Sequence, residues 1–255
     1  FETTDASGNK TSCSFTVTIT DNEFPTIICP ANITIDVTAG TCGAVVTFTT
    51  PVGIDNCSGA STAQTSGLTS GAIFPVGVTT NAFEVTDASG NKTSCSFTVT
   101  VTDNEKPIVS NCPSNITQVN DSNLCSAVVT WTEPTATDNC SASGSLVWIK
   151  SHTPGSVFSI GTTTVTYTAT DASNNISDIC SFTVTVTDSQ KPVIAGCPAN
   201  ITKSSDPGVC TSIVYWTEPS ATDNCTASGS LVWTKSHTPG SIFTAGTTVV
   251  TYTAT

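Results

Sequence analysis

The chain has 255 residues, of which only 10% are charged, and 19 acidic side chains outnumber 7 basic ones to give a net charge of −12. That balance excludes a nucleic-acid footprint, which needs a clustered basic face, and it is compatible with divalent cations. Threonine makes up a fifth of the residues and methionine is absent, a strand-forming composition that predicts an all-β fold.

In chain order, the first feature is a copy of a later one. FETTDASGNKTSCSFTVTITDNE opens the sequence, and residues 83–105 read FEVTDASGNKTSCSFTVTVTDNE, the same stretch with two substitutions. Phe1, Phe83, Tyr167 and Tyr252 each stand four residues before a DAS, or before the point where one is due, at intervals of 82, 84 and 85. The period predicts repeats over 23–104 and 105–189. Residues 1–22 then read as the last strand of a preceding or neighbouring-copy repeat, and 190–255 as a repeat lacking its last strand.

Within a repeat the apolar residues alternate. Cys42, Ala44, Val46 and Phe48 share one face of a predicted strand, as do Cys125, Ala127, Val129 and Trp131 in the next repeat. Cys95, Phe97, Val99 and Val101 do the same in CSFTVTVTD at 95–103, with Ser96, Thr98, Thr100 and Thr102 on the wet face. Turn signals such as DASGN, SHTPGS and TDNC separate these runs, with no helical periodicity between them. Several short strands in about 80 residues describe a two-sheet sandwich. A domain this small has a marginal core and needs covalent staples.

Twelve cysteines recur in phase with the repeat, a disulfide framework that implies an oxidising compartment. Four cysteines per repeat permit three connectivities, and sequence alone does not choose. The favoured set ties first strand to last, Cys29 with Cys95 and Cys112 with Cys180, and second strand to the following loop, Cys42 with Cys57, Cys125 with Cys140 and Cys210 with Cys225. Cys13 and Cys197 are left over and occupy the roles that pair in a complete repeat, so Cys13 is expected to meet Cys197 of a neighbouring copy.

The ordered motifs CPANIT at 29–34, CPSNIT at 112–117, CPANIT at 197–202, IDNC at 54–57, TDNC at 137–140 and 222–225, the segment SHTPGSVFSIGTTTVTYTATDAS at 151–173 and the closing CSFTVTVTD resemble the hyalin repeat, or HYR, family across the whole chain. The resemblance implies tandem immunoglobulin-like β-sandwich domains in an extended array on extracellular or cell-surface proteins, concerned with adhesion and not with catalysis. The first full repeat departs from the pattern, with TAQTSGLTSGAIFPVGVTT in place of the segment around SHTPGS.

Catalytic candidates are lacking. The two histidines, His152 and His237, are equivalent turn residues with no nucleophile at a supporting spacing, so an enzyme is not expected. Acceptor sequons for N-linked glycans stand at Asn9, Asn32, Asn91, Asn115, Asn120, Asn175 and Asn200. Those at Asn56, Asn139 and Asn224 adjoin a cysteine whose bridge would restrict access. Calcium is the cation the junctions would take, through Asp21 and Glu23, Asp103 and Glu105, and Asp188; a solvated linker is the plainer reading of the same residues.

No apolar run in this stretch approaches a membrane span. The expected function is a non-enzymatic structural or adhesive fibre or long stalk of head-to-tail repeats, in which strand 1–22 of one copy completes 190–255 of another. Its partners are then further copies of itself and covalent glycans. The alternative is a spacer or ligand-binding region of a larger cell-surface adhesion protein.

Overall fold

The computed structural model describes all 255 residues, and its regular structure is strand throughout apart from two short 3-10 turns at Ser143–Ser145 and Ser228–Ser230. It divides into two compact units: residues 1–107 with 137–146 and 171–175, and residues 108–136 with 147–170 and 176–255.

The first unit contains a complete sandwich. Its larger sheet orders Ile33–Asp36, Lys92–Thr102, Gly77–Thr86 and Ser61–Ser66, the first pair parallel and the others antiparallel. Gly43–Val45 pairs with Ile73–Pro75 to form the second sheet. The alternation read from the sequence is the packing: Phe97, Val99 and Val101 are buried against Ala44, Val46, Phe74 and Phe83, while the intervening threonines face outward. Phe48 lies edge-on to Phe97 at 5.0 Å, closing the aromatic centre.

The second unit repeats the plan. Ile116–Val119, Cys180–Thr187, Gly161–Thr170 and Val147–Lys150 form the larger sheet, faced by Ser126–Val129 with Ser156–Ser159. Its centre differs from the first in one coordinated way. Trp131 and Tyr167 stand where Phe48 and Phe83 stand, and the Trp131 Nε1–H donates to the Tyr167 hydroxyl at 2.8 Å. That hydroxyl lies 3.4 Å from Glu133, which in turn accepts from Lys150 at 2.8 Å. Burial pushes the Tyr167 phenol up, keeping it a neutral donor. The first unit drops the indole and the phenol together, so neither group is buried there without the other.

The third repeat carries the same network, Trp216 to Tyr252 at 2.7 Å, but its strands are fewer. Val193–Ala195, Thr211–Val214 and Trp233–Lys235 pair with Ser220–Thr222, Ser241–Thr244 and Tyr252–Ala254. Residues 201–205 form no strand, where the equivalent Ile116–Val119 pairs in parallel with Cys180–Thr187. Val250, Tyr252 and Ala254 are half-buried, where Val165, Tyr167 and Ala169 are buried. At the other end, Glu2–Thr4 and Lys10–Ser12 form a hairpin that the backbone bonds between Phe1 and Cys13 extend, and residues 14–20 have no strand partner.

Candidate functional site: the junction loops

The functional residues cluster in three loops that the repeat brings together: the TDNE or TDSQ junction, the DNC loop and the DAS turn. Each begins with an aspartate whose carboxylate accepts from backbone N–H groups two to four residues on, the Asx turn that makes Asp a turn former. Asp87 Oδ1 accepts from Ser89 and Asn91, and Asp171 Oδ1 from Ser173 and Asn175. Asp223 Oδ2 accepts from Cys225 at 2.9 Å and Thr226 at 2.8 Å, and these bonds hold its pKa below the ordinary carboxylate value. What that turn contributes to stability is therefore complete above the unfolded aspartate pKa and is lost as pH falls through the lowered folded value.

The loops also place the cysteines, and here one expectation is corrected. Cys29 is bonded to Cys95 and Cys112 to Cys180, each pair with Cα atoms 5.7 Å apart, joining first strand to last. Cys42, however, is bonded to Cys140 with Cα atoms 4.6 Å apart, and not to Cys57. The assignments of Cys42 with Cys57 and Cys125 with Cys140 therefore fail, and Cys210 and Cys225 are both free thiols rather than a bonded pair. Cys42 precedes Gly43–Val45 and is exposed beyond the core that Ala44 and Val46 enter, so it is free to meet the DNC loop of the following repeat. Residues 137–146 accordingly lie within the first unit.

A second set of contacts accompanies the bridge. The Asn139 amide donates to the Thr41 carbonyl at 2.9 Å. One period later the Asn224 amide donates to the Leu124 carbonyl, again at 2.9 Å, and the Cys225 thiol is hydrogen-bonded to that of Cys125. Burial, then that contact, then the charge of Asp188 push the Cys225 thiol up to about 12. The Cys57 thiol is pushed up chiefly by its hydrogen bond to Asp21.

The cation candidates separate on inspection. Asp103 is 7% exposed and lies with Asp138 and Asp171, one carboxylate oxygen of each within 4.8 Å of the others. Asp21 groups with Asp55 and Cys57, and Asp188 with Asp223 and Cys225. Glu23 and Glu105 join neither kind of group: Glu23 is exposed, and Glu105 accepts from the Gly40 amide at 2.8 Å. Sequence reasoning missed Asp55, Asp138, Asp171 and Asp223, although the same TDNC and DAS motifs that marked the repeat contain them.

The glycan acceptors separate too. Asn32 and Asn115 are exposed, and each uses only its carbonyl, accepting from Thr98 and Thr183 at 2.9 Å, so the amide nitrogen faces outward; Asn200 is exposed. Asn120 is 6% exposed and donates to the Leu124 carbonyl at 2.8 Å, which removes it as an acceptor. Asn91 and Asn175 spend their amides on Asp87 and Asp171, each at 2.8 Å, and Asn9 spends its own on Asp5 at 2.8 Å. Asn139 and Asn224 are committed to the bridging loops, while Asn56 is exposed beside Cys57. His152 and His237 bond to Ser151 and Ser236 and stack near Phe158 and Phe243, as local turn residues do.

A family model for the HYR domain matches the chain three times, over residues 20–101, 102–186 and 187–255. The chain belongs to the HYR domain family. Among curated relatives, hyalin of Strongylocentrotus purpuratus is 38% identical over 97% of this chain and 21% of its own length, and hyalin of Lytechinus variegatus is 35% identical over 99% and 48%. The Sushi, von Willebrand factor type A, EGF and pentraxin domain-containing protein 1 of Mus musculus is 40% identical over 68% of the chain and 5% of its own length. The chain thus spans less than half of the hyalins it matches. Of solved structures, Drosophila N-cadherin EC1-3 aligns at 12% identity and a TM-score of 0.37, over 65% of this chain and 66% of that one. The protocadherin gammaB7 EC3-6 cis-dimer structure aligns at 15% identity and 0.34, over 96% and 75%. The HYR repeats here are tandem β-sandwich domains of an extracellular or cell-surface repeat protein, of a kind that is typically non-enzymatic.

Proposed function

We propose that the chain is a structural segment of an extracellular fibre or long stalk, its HYR repeats joined head to tail. The observation that carries this reading is a pair of near-identical sequences in opposite environments. Phe97, Val99 and Val101 are 3%, 0% and 1% exposed inside the first sandwich, whereas Phe15, Val17 and Ile19, their copies, are 74%, 74% and 91% exposed. The third repeat has the matching deficiency, a half-open core around Val250 and Tyr252. Strand 13–20 of one copy added to the third repeat of the next would bury that face, pair an open edge and bring Cys13 to Cys197, both of which are exposed thiols. A continuation of the same chain could supply the identical strand, giving a stalk instead of a polymer. The bridge from Cys42 to Cys140 supports either form, since it fixes a loop of one repeat to the strand of the repeat before it.

Electron microscopy of the purified chain should show ordered end-to-end filaments, and excess peptide 1–22 should cap their growth. A monodisperse monomer with saturable binding to a glycan or receptor would overturn this reading in favour of a spacer or ligand-binding region. In a host that glycosylates exported proteins, glycans belong on Asn32, Asn115 and Asn200. Peptide mapping after enzymatic deglycosylation should mark these sites and leave Asn120, Asn139 and Asn175 unmodified.

A further inference from the structure

Three aspartates from three different motifs converge on one point of the first unit: Asp103 from TDNE, Asp138 from TDNC and Asp171 from TDAS. Each holds its own turn with one oxygen. Asp103 Oδ1 accepts from the Glu105 amide at 3.2 Å, Asp138 Oδ2 from Cys140 at 2.9 Å and Ser141 at 2.7 Å, and Asp171 Oδ1 from Ser173 at 2.9 Å and Asn175 at 2.7 Å. The turns fix the carboxylates rigidly and leave their second oxygens for other work. Asp171 Oδ2 accepts from the Asn175 side chain at 2.8 Å. Asp103 Oδ2 and Asp138 Oδ1 are buried and have no hydrogen-bond partner, and the Asp103 residue itself is more than nine-tenths buried.

Orphaned carboxylate oxygens are a costly thing to bury, and three negative groups within 4.8 Å of one another repel. Turn formation explains one oxygen of each residue and does not explain why three carboxylates converge with Asp103 Oδ2 and Asp138 Oδ1 left unpartnered. The geometry points to a hard divalent cation of the calcium class, held by Asp103, Asp138 and Asp171. The donors are all oxygen, which excludes the soft-metal preference that thiolates would bring, because Cys140 is already bonded to Cys42. Calcium suits an irregular set of carboxylates from loops better than magnesium, which demands near-ideal octahedral geometry. The other two junctions group only two aspartates each, Asp21 with Asp55 and Asp188 with Asp223, and there a cysteine sulfur, of Cys57 or Cys225, lies inside the group. The assignment is therefore made for the trio whose cysteine is engaged elsewhere. It does not depend on polymer formation, since all three ligands come from one chain.

The test uses the whole chain stripped by chelator and then given calcium alone, with bound ions counted by native mass spectrometry and stability followed by thermal melting. The wild type should bind calcium and gain about 5 °C or more at saturating concentration. The double variant D103N/D138N should bind one ion fewer and lose most of the gain. Without calcium it should melt no lower than the wild type, because the repulsion is gone, while the surface variant E84Q should behave as wild type throughout. Should the double variant fail to fold, D138N alone carries the same comparison. An equal calcium count in the wild type and the aspartate variants, or no calcium bound at millimolar concentration, would overturn the site.

Discussion

Replacing Phe97 by alanine should destabilise the first sandwich by about 3–5 kcal/mol, the usual cost of deleting a buried phenylalanine from a core that cannot collapse around the gap. Phe97 is 3% exposed and touches Phe48, and stacks parallel to Phe83 with ring centroids 6.4 Å apart. The same substitution at Phe15 should leave the melting of the isolated chain unchanged, because that ring is 74% exposed. Its effect should appear only in assembly, where F15A removes the largest apolar group that the donated strand offers. Denaturant unfolding of both variants, with light scattering of the second, separates the two roles. An F15A chain that polymerises like the wild type would show that strand 13–20 is not what joins copies.

Peptide mapping without reduction should return Cys125 linked to Cys225. The pair has the surroundings of the Cys42 to Cys140 bridge, down to the asparagine amide on the carbonyl preceding the strand cysteine, at 2.9 Å in both. Formation is a two-electron oxidation: one thiolate attacks an exchanging disulfide, and the second displaces the carrier as its thiol, so an oxidising disulfide of the exported environment is consumed. With the Cys225 thiol pushed up to about 12, its thiolate is scarce at neutral pH, and closure should speed up as pH rises. By chain entropy a closed loop of this length stabilises by about 4.7 kcal/mol, which makes C125S/C225S one of the most costly pair replacements in the second unit. Free thiols found at both positions in oxidised material would show that the staple belongs to the first unit alone.

Much of the fold was legible because the signal is local. A period-2 pattern decides which face of a strand is wet, and Ala44, Val46, Phe97, Val99, Ala127 and Val129 are all buried as that pattern requires. The long bridges were legible because first and last strands are neighbours in one sheet. The short bridge was misread for a related reason. Cys42 shares its phase with Ala44 and Val46, which suggests an inward side chain, but it sits one step past the core at a strand's end, where phase no longer means burial. Repeat symmetry conceals the error, since a cysteine bonded to the next repeat recurs with the same period as one bonded within its own. The carboxylate trio was half legible: Asp103 was marked by its place at a junction, while Asp138 and Asp171, about 35 and 70 positions on, are turn formers whose convergence only folding brings about.

The exchange of Trp131 and Tyr167 for Phe48 and Phe83 has an optical consequence. All four tryptophans, Trp131, Trp148, Trp216 and Trp233, lie in the second and third repeats. Indole emission during unfolding thus follows those two and is silent on the first. A titration watched by fluorescence and another by circular dichroism would coincide only if all three repeats melt as one cooperative body.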